Sequence, residues 1–276
     1  MRQLFFGIII VVLLFTSICP IPGGNDLPAA AAGTRQIVGK QSKIQKGVLP
    51  TKTNAKANVP VVKEGIPILM YHEIGDYPNS LYVSENDFRQ QMYYLRDHGY
   101  RVLNVKQALE VLQKKESIDK TVAVSFDDGY ISFYNKVYPI LKECKFSATV
   151  FVVTNLLSIP NYITWEQASI LARDGIEIGS HTQNHVSLPS QSDAQLIQEI
   201  AGSRQLLEQK LGIKIESFCY PFGDCNWRTA EYVKAAGYLT ATTTANNRTS
   251  LQDDPYLFPR IKISRGISIG TFAKRL

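Results

Sequence analysis

From residue 65 to the end of the chain, short apolar runs alternate with segments in which apolar residues recur every three or four positions. The first pattern predicts buried β-strands, and the second predicts amphipathic helices. The apolar runs read IPILMYH, YRVLNV, TVAVSF, SATVFVV, IEIGSH, SFCYPFG, YLTATTT and PRIKIS.

Several helix boundaries are marked by their capping residues. Ser84, Thr164 and Ser192 each stand where a helical pattern begins, and the last two have Gln three positions later, as in a capping box. Each of these helices is expected to end at a glycine, because glycine readily adopts the left-handed conformation of a helix C-terminus. These glycines are Gly99, Gly175 and Gly212.

Strands and helices alternate about seven times, which predicts an α/β fold with a parallel sheet covered on both faces. That many repeats favour a distorted (β/α) barrel with about seven parallel strands over an open sheet. In such barrels the catalytic side chains lie at the carboxyl ends of the strands. The residues that follow each apolar run are therefore the first candidates for a catalytic site.

The amino terminus has a different character. Residues 4–18 form an uncharged apolar run of 15 residues behind Arg2, closed by Pro20 and Pro22. The run is short for a membrane span, which needs roughly 20 residues, and suits the apolar region of a signal peptide. The alanines at 29–32 offer a cleavage site. We expect export, with residues 1–32 acting as a signal peptide or as a retained N-terminal anchor.

The net charge of +6 does not indicate a nucleic-acid partner, because it is unevenly distributed. Residues 65–276 carry 22 Lys plus Arg against 22 Asp plus Glu, so the excess lies upstream. Residues 33–64 are basic and poor in aromatics, which predicts a flexible linker with weak, screened attraction to an anionic membrane or cell wall. Residues 65–276 are expected to form the catalytic domain, as a monomer.

Cysteine usage gives little guidance. Cys144, Cys219 and Cys225 remain in the predicted domain. The spacing of the last two does not match a zinc-binding pattern. An exported protein could join them in a disulfide, and the sequence leaves that open.

Histidines and paired carboxylates gather at the predicted strand ends. His72 follows one apolar run, Asp127 and Asp128 follow another, and His181 with His185 follows a third. Singly, each could be a turn or a structural residue, since Asp-Asp-Gly is ordinary turn chemistry. Together, two histidines and a carboxylate make an open three-ligand metal site, and a second carboxylate can act as a base toward water.

Three motifs carry a resemblance to a known family. SFDDGY and SHTQNH are similar to the first two motifs of the polysaccharide deacetylases, carbohydrate esterase family four, and YPFGDCN looks like a variant of the third. Order and spacing also fit, over residues 65–276. The segments ILMYHEI and FPRIKIS resemble the branch that contains poly-N-acetylglucosamine deacetylases.

The resemblance implies a role for each motif residue. Asp128, His181 and His185 match the family's metal ligands, so it implies a divalent metal, usually Zn²⁺. Asp127 matches the catalytic base. The backbone N–H of Phe222 matches the group that holds the oxyanion.

The sequence also departs from the family pattern. Cys219 stands where the family usually has an arginine that orients the base, so another residue must orient Asp127, or none does. No histidine follows His185 to supply the usual acid. The poly-N-acetylglucosamine branch is circularly permuted, however, and His72 matches the missing position, which makes it the candidate general acid. Candidates for sugar stacking are Trp165, Tyr220 and Trp227.

These features predict an exported, metal-dependent hydrolase that removes N-acetyl groups from N-acetylglucosamine units of a cell-surface or extracellular polysaccharide. A deacetylase of peptidoglycan or chitooligosaccharides is the nearest alternative. Two histidines and a carboxylate would also suit a non-haem iron oxygenase, but the second carboxylate argues against one. A carbohydrate-binding protein with a decayed site is the remaining alternative, and the intact ligand set argues against it.

Overall fold

A computed structural model describes residues 65–276, and its centre is a parallel sheet. The strands are β1 (Ile68–Tyr71), β2 (Glu73–Ile74), β3 (Tyr82–Val83), β4 (Arg101–Leu103), β5 (Thr121–Phe126), β6 (Thr149–Val152), β7 (Glu177–Ser180), β8 (Ser217–Cys219), β9 (Thr240–Thr242) and β10 (Ile261–Lys262). Strands β2 and β3 form a separate small parallel pair.

The main sheet runs in the order β10-β1-β5-β6-β7-β8-β9, and every pairing is parallel. Strand β4 pairs with the first half of β5, on the edge that β6 occupies further along. From β5 to β9, strands adjacent in this order follow one another along the chain, as helical crossovers between parallel strands allow. The predicted α/β class is confirmed.

The segment that leads into β10 brings the two ends of the sheet together. Phe258 bridges to Thr242 of β9 in parallel, and Ile261 pairs with Leu69 of β1. This segment is short and pairs with one neighbour after the other. The sheet therefore curves into the distorted barrel that the repeat pattern predicted.

Helices cover the sheet. They are α1 (Glu85–Asp97), α2 (Val105–Gln113), α3 (Tyr138–Cys144), α4 (Trp165–Arg173), α5 (Asp193–Leu196), α6 (Ser203–Leu211), α7 (Trp227–Ala235) and α8 (Ile269–Arg275). Two π-helical turns are inserted among them. One, Phe133–Val137, precedes α3, and the other, Ile197–Gly202, joins α5 to α6.

The predicted helix signals match the caps in the structure. Ser84, Thr164 and Ser192 are the N-caps of α1, α4 and α5, and each side chain accepts a backbone N–H three residues on. Both predicted capping boxes are present. Gly212 ends α6 with φ of 69°, in the left-handed region.

The core has two parts because β5 is buried on both faces. Val122, Val124 and Phe126 belong to the larger cluster, which packs against the outer helices. Ala123 faces the other way, into a smaller cluster inside the barrel. The residues of α2 close that inner cluster at the amino-terminal end of β5, which leaves the carboxyl ends of the strands open for a site.

Within the described residues, no helix combines the length and the apolar character that crossing a membrane requires. The signal peptide or anchor predicted for residues 1–32 and the linker predicted for residues 33–64 lie outside the described part of the chain. Both stay predictions, as do the domain bounds.

Candidate active site

The paired carboxylates leave β5 in a sharp turn. Asp127 continues the inward-facing alternation of Ala123 and Ser125, so its side chain points into the barrel. Asp128 would point outward in a straight strand. Instead its φ is 72° and that of Gly129 is 76°, so the chain turns at Asp128 itself. Asp-Asp-Gly is thus a turn that brings both carboxylates to one end of the barrel.

Asp128, His181 and His185 converge at this end. The Oδ1 atom of Asp128 lies 3.5 Å from Nε2 of His181 and 3.3 Å from Nε2 of His185. One ligand atom from each residue lies within 4.8 Å of the others. The three come from two separate strand ends, after β5 and after β7, and the structure brings them together; their role as metal ligands stays a prediction.

This donor set fits a divalent cation such as Zn²⁺. Two imidazole nitrogens and one carboxylate oxygen are the ligands of open zinc sites, which keep a further position for water or substrate. Nδ1 of His181 lies 2.7 Å from the carbonyl oxygen of Cys219, so it donates its proton there. In the neutral ring that bond places the proton on Nδ1 and leaves Nε2 free to bind a cation on the side of Asp128, which is the tautomer a metal ligand needs.

Asp127 is held by Arg260, a residue that the sequence reasoning missed. Two nitrogens of the guanidinium bind the two carboxylate oxygens at 2.7 and 2.8 Å, and both side chains are buried. Burial alone would raise the pKa of Asp127, but the charge and hydrogen bonds of Arg260 outweigh it and hold that pKa well below its usual range. Asp127 is therefore ionised and fixed in orientation.

Arg260 uses its full donor capacity in this position. Besides the two bonds to Asp127, its nitrogens donate to the carbonyl of Thr243 at 2.9 Å, to Oγ of Ser125 at 3.2 Å and to Sγ of Cys219 at 3.2 Å. A guanidinium has five N–H groups, so every one of them is satisfied. Cys219 stands where the family usually has the arginine that orients the base, and in this chain Arg260, 133 positions from Asp127, holds that carboxylate instead.

A second cluster, Asp127 with His181 and Cys219, also has the residue types of a metal site. Arg260 argues against that role, because its N–H groups already occupy both oxygens of Asp127 and the sulfur of Cys219. Burial also raises the pKa of the Cys219 thiol well above its usual range, so the sulfur stays protonated. Cys144, Cys219 and Cys225 are all free, without a disulfide.

His72 follows β1 and faces the same centre. Its Nε2 lies 3.9 Å from Oδ2 of Asp127, and its side chain is mostly buried. Burial lowers the pKa of His72, and the negative charge of Asp127 partly offsets that shift. The structure thus places the candidate general acid beside the candidate base, and the role of His72 stays a prediction.

Phe222 lies at the rim of the site. Its backbone φ is 61°, in the left-handed region, and its exposed ring meets that of His185 edge-on at a centroid distance of 4.7 Å. An oxyanion role for its N–H remains a prediction.

The candidates for sugar stacking differ in exposure. Tyr220 is fully buried against Phe218, so it has no ring face for a sugar, and its assignment is corrected to a core residue. Trp165 is partly buried against the core. Trp227 is 80% exposed at the start of α7 and remains available for stacking.

A pair of aromatic residues near the ligands was not singled out from the sequence. The rings of Tyr130 and Tyr162 stack at a centroid distance of 5.2 Å. Burial raises the pKa of Tyr130, and the neighbouring charge of Asp128 raises it further, so Tyr130 is a neutral hydrogen-bond donor. Tyr130 directly follows the Asp-Asp-Gly turn, but Tyr162 lies in a distant loop without a recognisable motif, which is why the pair was not anticipated.

Known proteins are similar to this chain in sequence. The sequence profile described as polysaccharide deacetylase matches residues 114–241. YxkH of Bacillus subtilis (strain 168), which bears the name of a polysaccharide deacetylase, is 31% identical over 275 residues, covering 99% of this chain and 97% of the relative. The chain belongs to the polysaccharide deacetylase family. The resemblance noted in the three motifs is thereby confirmed.

One further relative and one solved structure are also similar to this chain. A poly-beta-1,6-N-acetyl-D-glucosamine N-deacetylase of Staphylococcus aureus (strain MSSA476) is 26% identical over 196 residues, 66% of this chain and 68% of the relative. The structure of the Streptococcus pyogenes deacetylase PplD, solved with acetate, aligns with a TM-score of 0.73 and 29% identity. That alignment covers 76% of this chain and 97% of PplD.

Proposed function

We propose that this polysaccharide deacetylase family member is an exported, metal-dependent hydrolase that removes N-acetyl groups from N-acetylglucosamine units of a cell-surface or extracellular polysaccharide. The observation that carries the proposal is a three-ligand set, Asp128 with His181 and His185, beside the arginine-held carboxylate of Asp127. The poly-N-acetylglucosamine relative supports the substrate class, and the apolar run at residues 4–18 supports export.

Asp128, His181 and His185 would hold the cation. A divalent ion bound there supplies Lewis-acid activation of the acetamide and of the attacking water. His181 contributes rigidity, because the carbonyl of Cys219 fixes its ring. Asp128 contributes the negative charge of the ligand set, and its position depends on the left-handed turn at the end of β5.

Asp127 acts as the general base. Its carboxylate accepts a proton from the water whose oxygen attacks the carbonyl carbon of the acetamide. Arg260 keeps Asp127 ionised and fixes the direction of its oxygens, so no reorganisation is needed when the water arrives. The N–H of Phe222 stabilises the oxyanion that forms as the carbonyl double bond opens.

His72 acts as the general acid. As the carbon–nitrogen bond breaks, it transfers its proton to the departing nitrogen, so that the products are acetate and a free amine on the sugar. Burial lowers the pKa of His72, which makes the imidazolium a stronger proton donor. The nearby charge of Asp127 opposes that shift and keeps the protonated form accessible.

The test is acetate release from a panel of acetylated glycans: poly-N-acetylglucosamine, chitooligosaccharides and peptidoglycan fragments. We expect release from poly-N-acetylglucosamine, loss of release with a chelator and recovery with Zn²⁺. Preference for peptidoglycan fragments would change the substrate but keep the chemistry. Metal-loaded protein that binds glycans without releasing acetate would overturn the proposal in favour of a binding protein.

A further inference from the structure

The turn that carries His185 is strained. Thr182 has φ of 70° and His185 has φ of 56°, both in the left-handed region. For a β-branched residue such as Thr182 that conformation is a genuine outlier. Residues held this way are destabilising and persist only where surrounding contacts determine them. Some group outside the turn must therefore hold it.

Glu199 supplies that contact. Its carboxylate is buried and accepts three hydrogen bonds from the turn. The backbone N–H groups of Gln183 and Asn184 donate to Oε2 at 2.9 Å each, and the side-chain amide of Asn184 donates to Oε1 at 2.6 Å. Hydrogen bonds to a charged acceptor are about twice as strong as neutral ones.

The Glu199 side chain contacts the Thr182–His185 turn from a π-helical segment. It lies in the π-helical turn Ile197–Gly202 between α5 and α6. Such insertions are rare and recur at functional sites, because they redirect side chains out of the regular helical register. No ion pair is found for Glu199 within residues 65–276, so amide groups of the turn, not a cation, satisfy this buried carboxylate.

His185 needs external positioning more than His181 does. His181 is fixed through Nδ1 by the carbonyl of Cys219, whereas no hydrogen bond to Nδ1 of His185 is found in the described part of the chain. The orientation of the His185 ring therefore depends on its backbone, whose N–H donates to Oγ1 of Thr182 at 2.9 Å, and on the edge contact with Phe222.

We propose that Glu199 is a positioning residue that holds the Thr182–His185 turn so that Nε2 of His185 points at the cation. This inference rests on the proposed metal-dependent function. Replacing a group that orients a metal ligand without itself binding the metal typically weakens metal affinity by about 10- to 100-fold. The same loss is expected when the Glu199 carboxylate is removed.

The experiment measures the dissociation constant of Zn²⁺ for the full chain, by competition with a chromophoric chelator, together with urea unfolding of the metal-free protein. We expect Glu199→Ala to weaken Zn²⁺ binding roughly 10- to 100-fold. Glu199→Gln keeps an oxygen that can accept both backbone N–H groups, so we expect its affinity to stay within a few-fold of wild type. The matched control is Ile197→Ala, an exposed neighbour of Glu199 on the same π-helical segment, which should bind Zn²⁺ as wild type does.

The outcomes separate the two proposals. Wild-type protein that binds no Zn²⁺ would overturn the proposed metal-dependent function. Wild-type binding with unchanged affinity in Glu199→Ala, even if that variant unfolds more easily, would overturn the positioning role alone. Should Glu199→Ala fail to fold, Glu199→Asp keeps the charge but withdraws it from the turn. Weakened binding in Glu199→Asp supports the role, and wild-type affinity contradicts it.

Discussion

Replacing Arg260 with methionine should be among the most damaging single changes in the barrel. The substitution keeps a long unbranched side chain but removes all five N–H groups, including the two that bind Asp127 at 2.7 and 2.8 Å. Asp127 would then be a buried carboxylate without a cationic partner. We expect both the stability of the fold and the position of the base to suffer.

The magnitude follows from the burial of the pair. Arg260 is 0% exposed and Asp127 is 3% exposed, so water cannot replace the lost partner. Removing one member of such a buried, hydrogen-bonded pair costs about 3–5 kcal/mol. The double variant Arg260→Met with Asp127→Asn should lose less than the sum of the single changes, with a coupling energy of about 0.5–3 kcal/mol.

The pH dependence gives the prediction a definite sign. In the wild type, the folded-state pKa of Asp127 lies below its unfolded value of about 3.9, so its stabilising contribution is present above that value and is lost as the pH falls through the folded pKa. In Arg260→Met, burial should raise the folded-state pKa of Asp127 instead. The contribution then is present below about pH 4 and disappears as the pH rises.

Urea unfolding of the metal-free proteins at pH 4 and pH 7 measures this. The difference in unfolding free energy between wild type and Arg260→Met should widen from pH 4 to pH 7. The control is Arg101→Met, which breaks an exposed ion pair with Glu116 and should cost no more than about 1 kcal/mol. A difference that is equal at both pH values, or no larger than that of the control, would refute the reasoning.

Three further predictions concern the roles of individual residues. His72→Ala should reduce acetate release by about 10²- to 10⁴-fold with normal metal content, and unchanged turnover would remove His72 from the mechanism. Trp227→Ala should leave stability within about 0.5 kcal/mol, because the ring is 80% exposed, and should raise KM for the polymer about 2- to 10-fold if the ring stacks on a sugar. An unchanged KM would exclude that contact. His185→Ala should lose bound Zn²⁺, as atomic absorption will show, and retained stoichiometric metal would contradict its assignment as a ligand.

Much of the fold follows from local signals in the sequence. Helices begin after Ser84, Thr164 and Ser192, whose side chains each accept a backbone N–H three residues on. A short segment of sequence is therefore enough to predict each of these helix starts. The apolar run Thr121–Phe126 is buried along its whole length, as its composition predicts. Strand β10 is harder to predict, because its two residues are defined by pairing with β1, which lies near the start of the described residues.

The site divides in the same way. Asp128, His181 and His185 lie in motifs with fixed spacing, so the sequence could nominate them together. Arg260 lies in the FPRIKIS segment that resembles the deacetylase branch, but nothing in that segment gives the arginine a role, because only the closure of the barrel brings it to Asp127. The prediction that Tyr220 stacks on a sugar is wrong for the opposite reason. Its position in the motif is favourable, but the packing against Phe218 buries its ring.

The most direct test of the central claim is acetate release from poly-N-acetylglucosamine as Zn²⁺ is returned to metal-stripped protein. We expect no release from the stripped protein, a linear rise in rate up to one Zn²⁺ per chain, and no recovery in Asp128→Asn at any metal concentration. Full activity in the stripped protein, or none in the fully loaded wild type on any acetylated glycan, would contradict a metal-dependent deacetylase built on Asp128, His181 and His185.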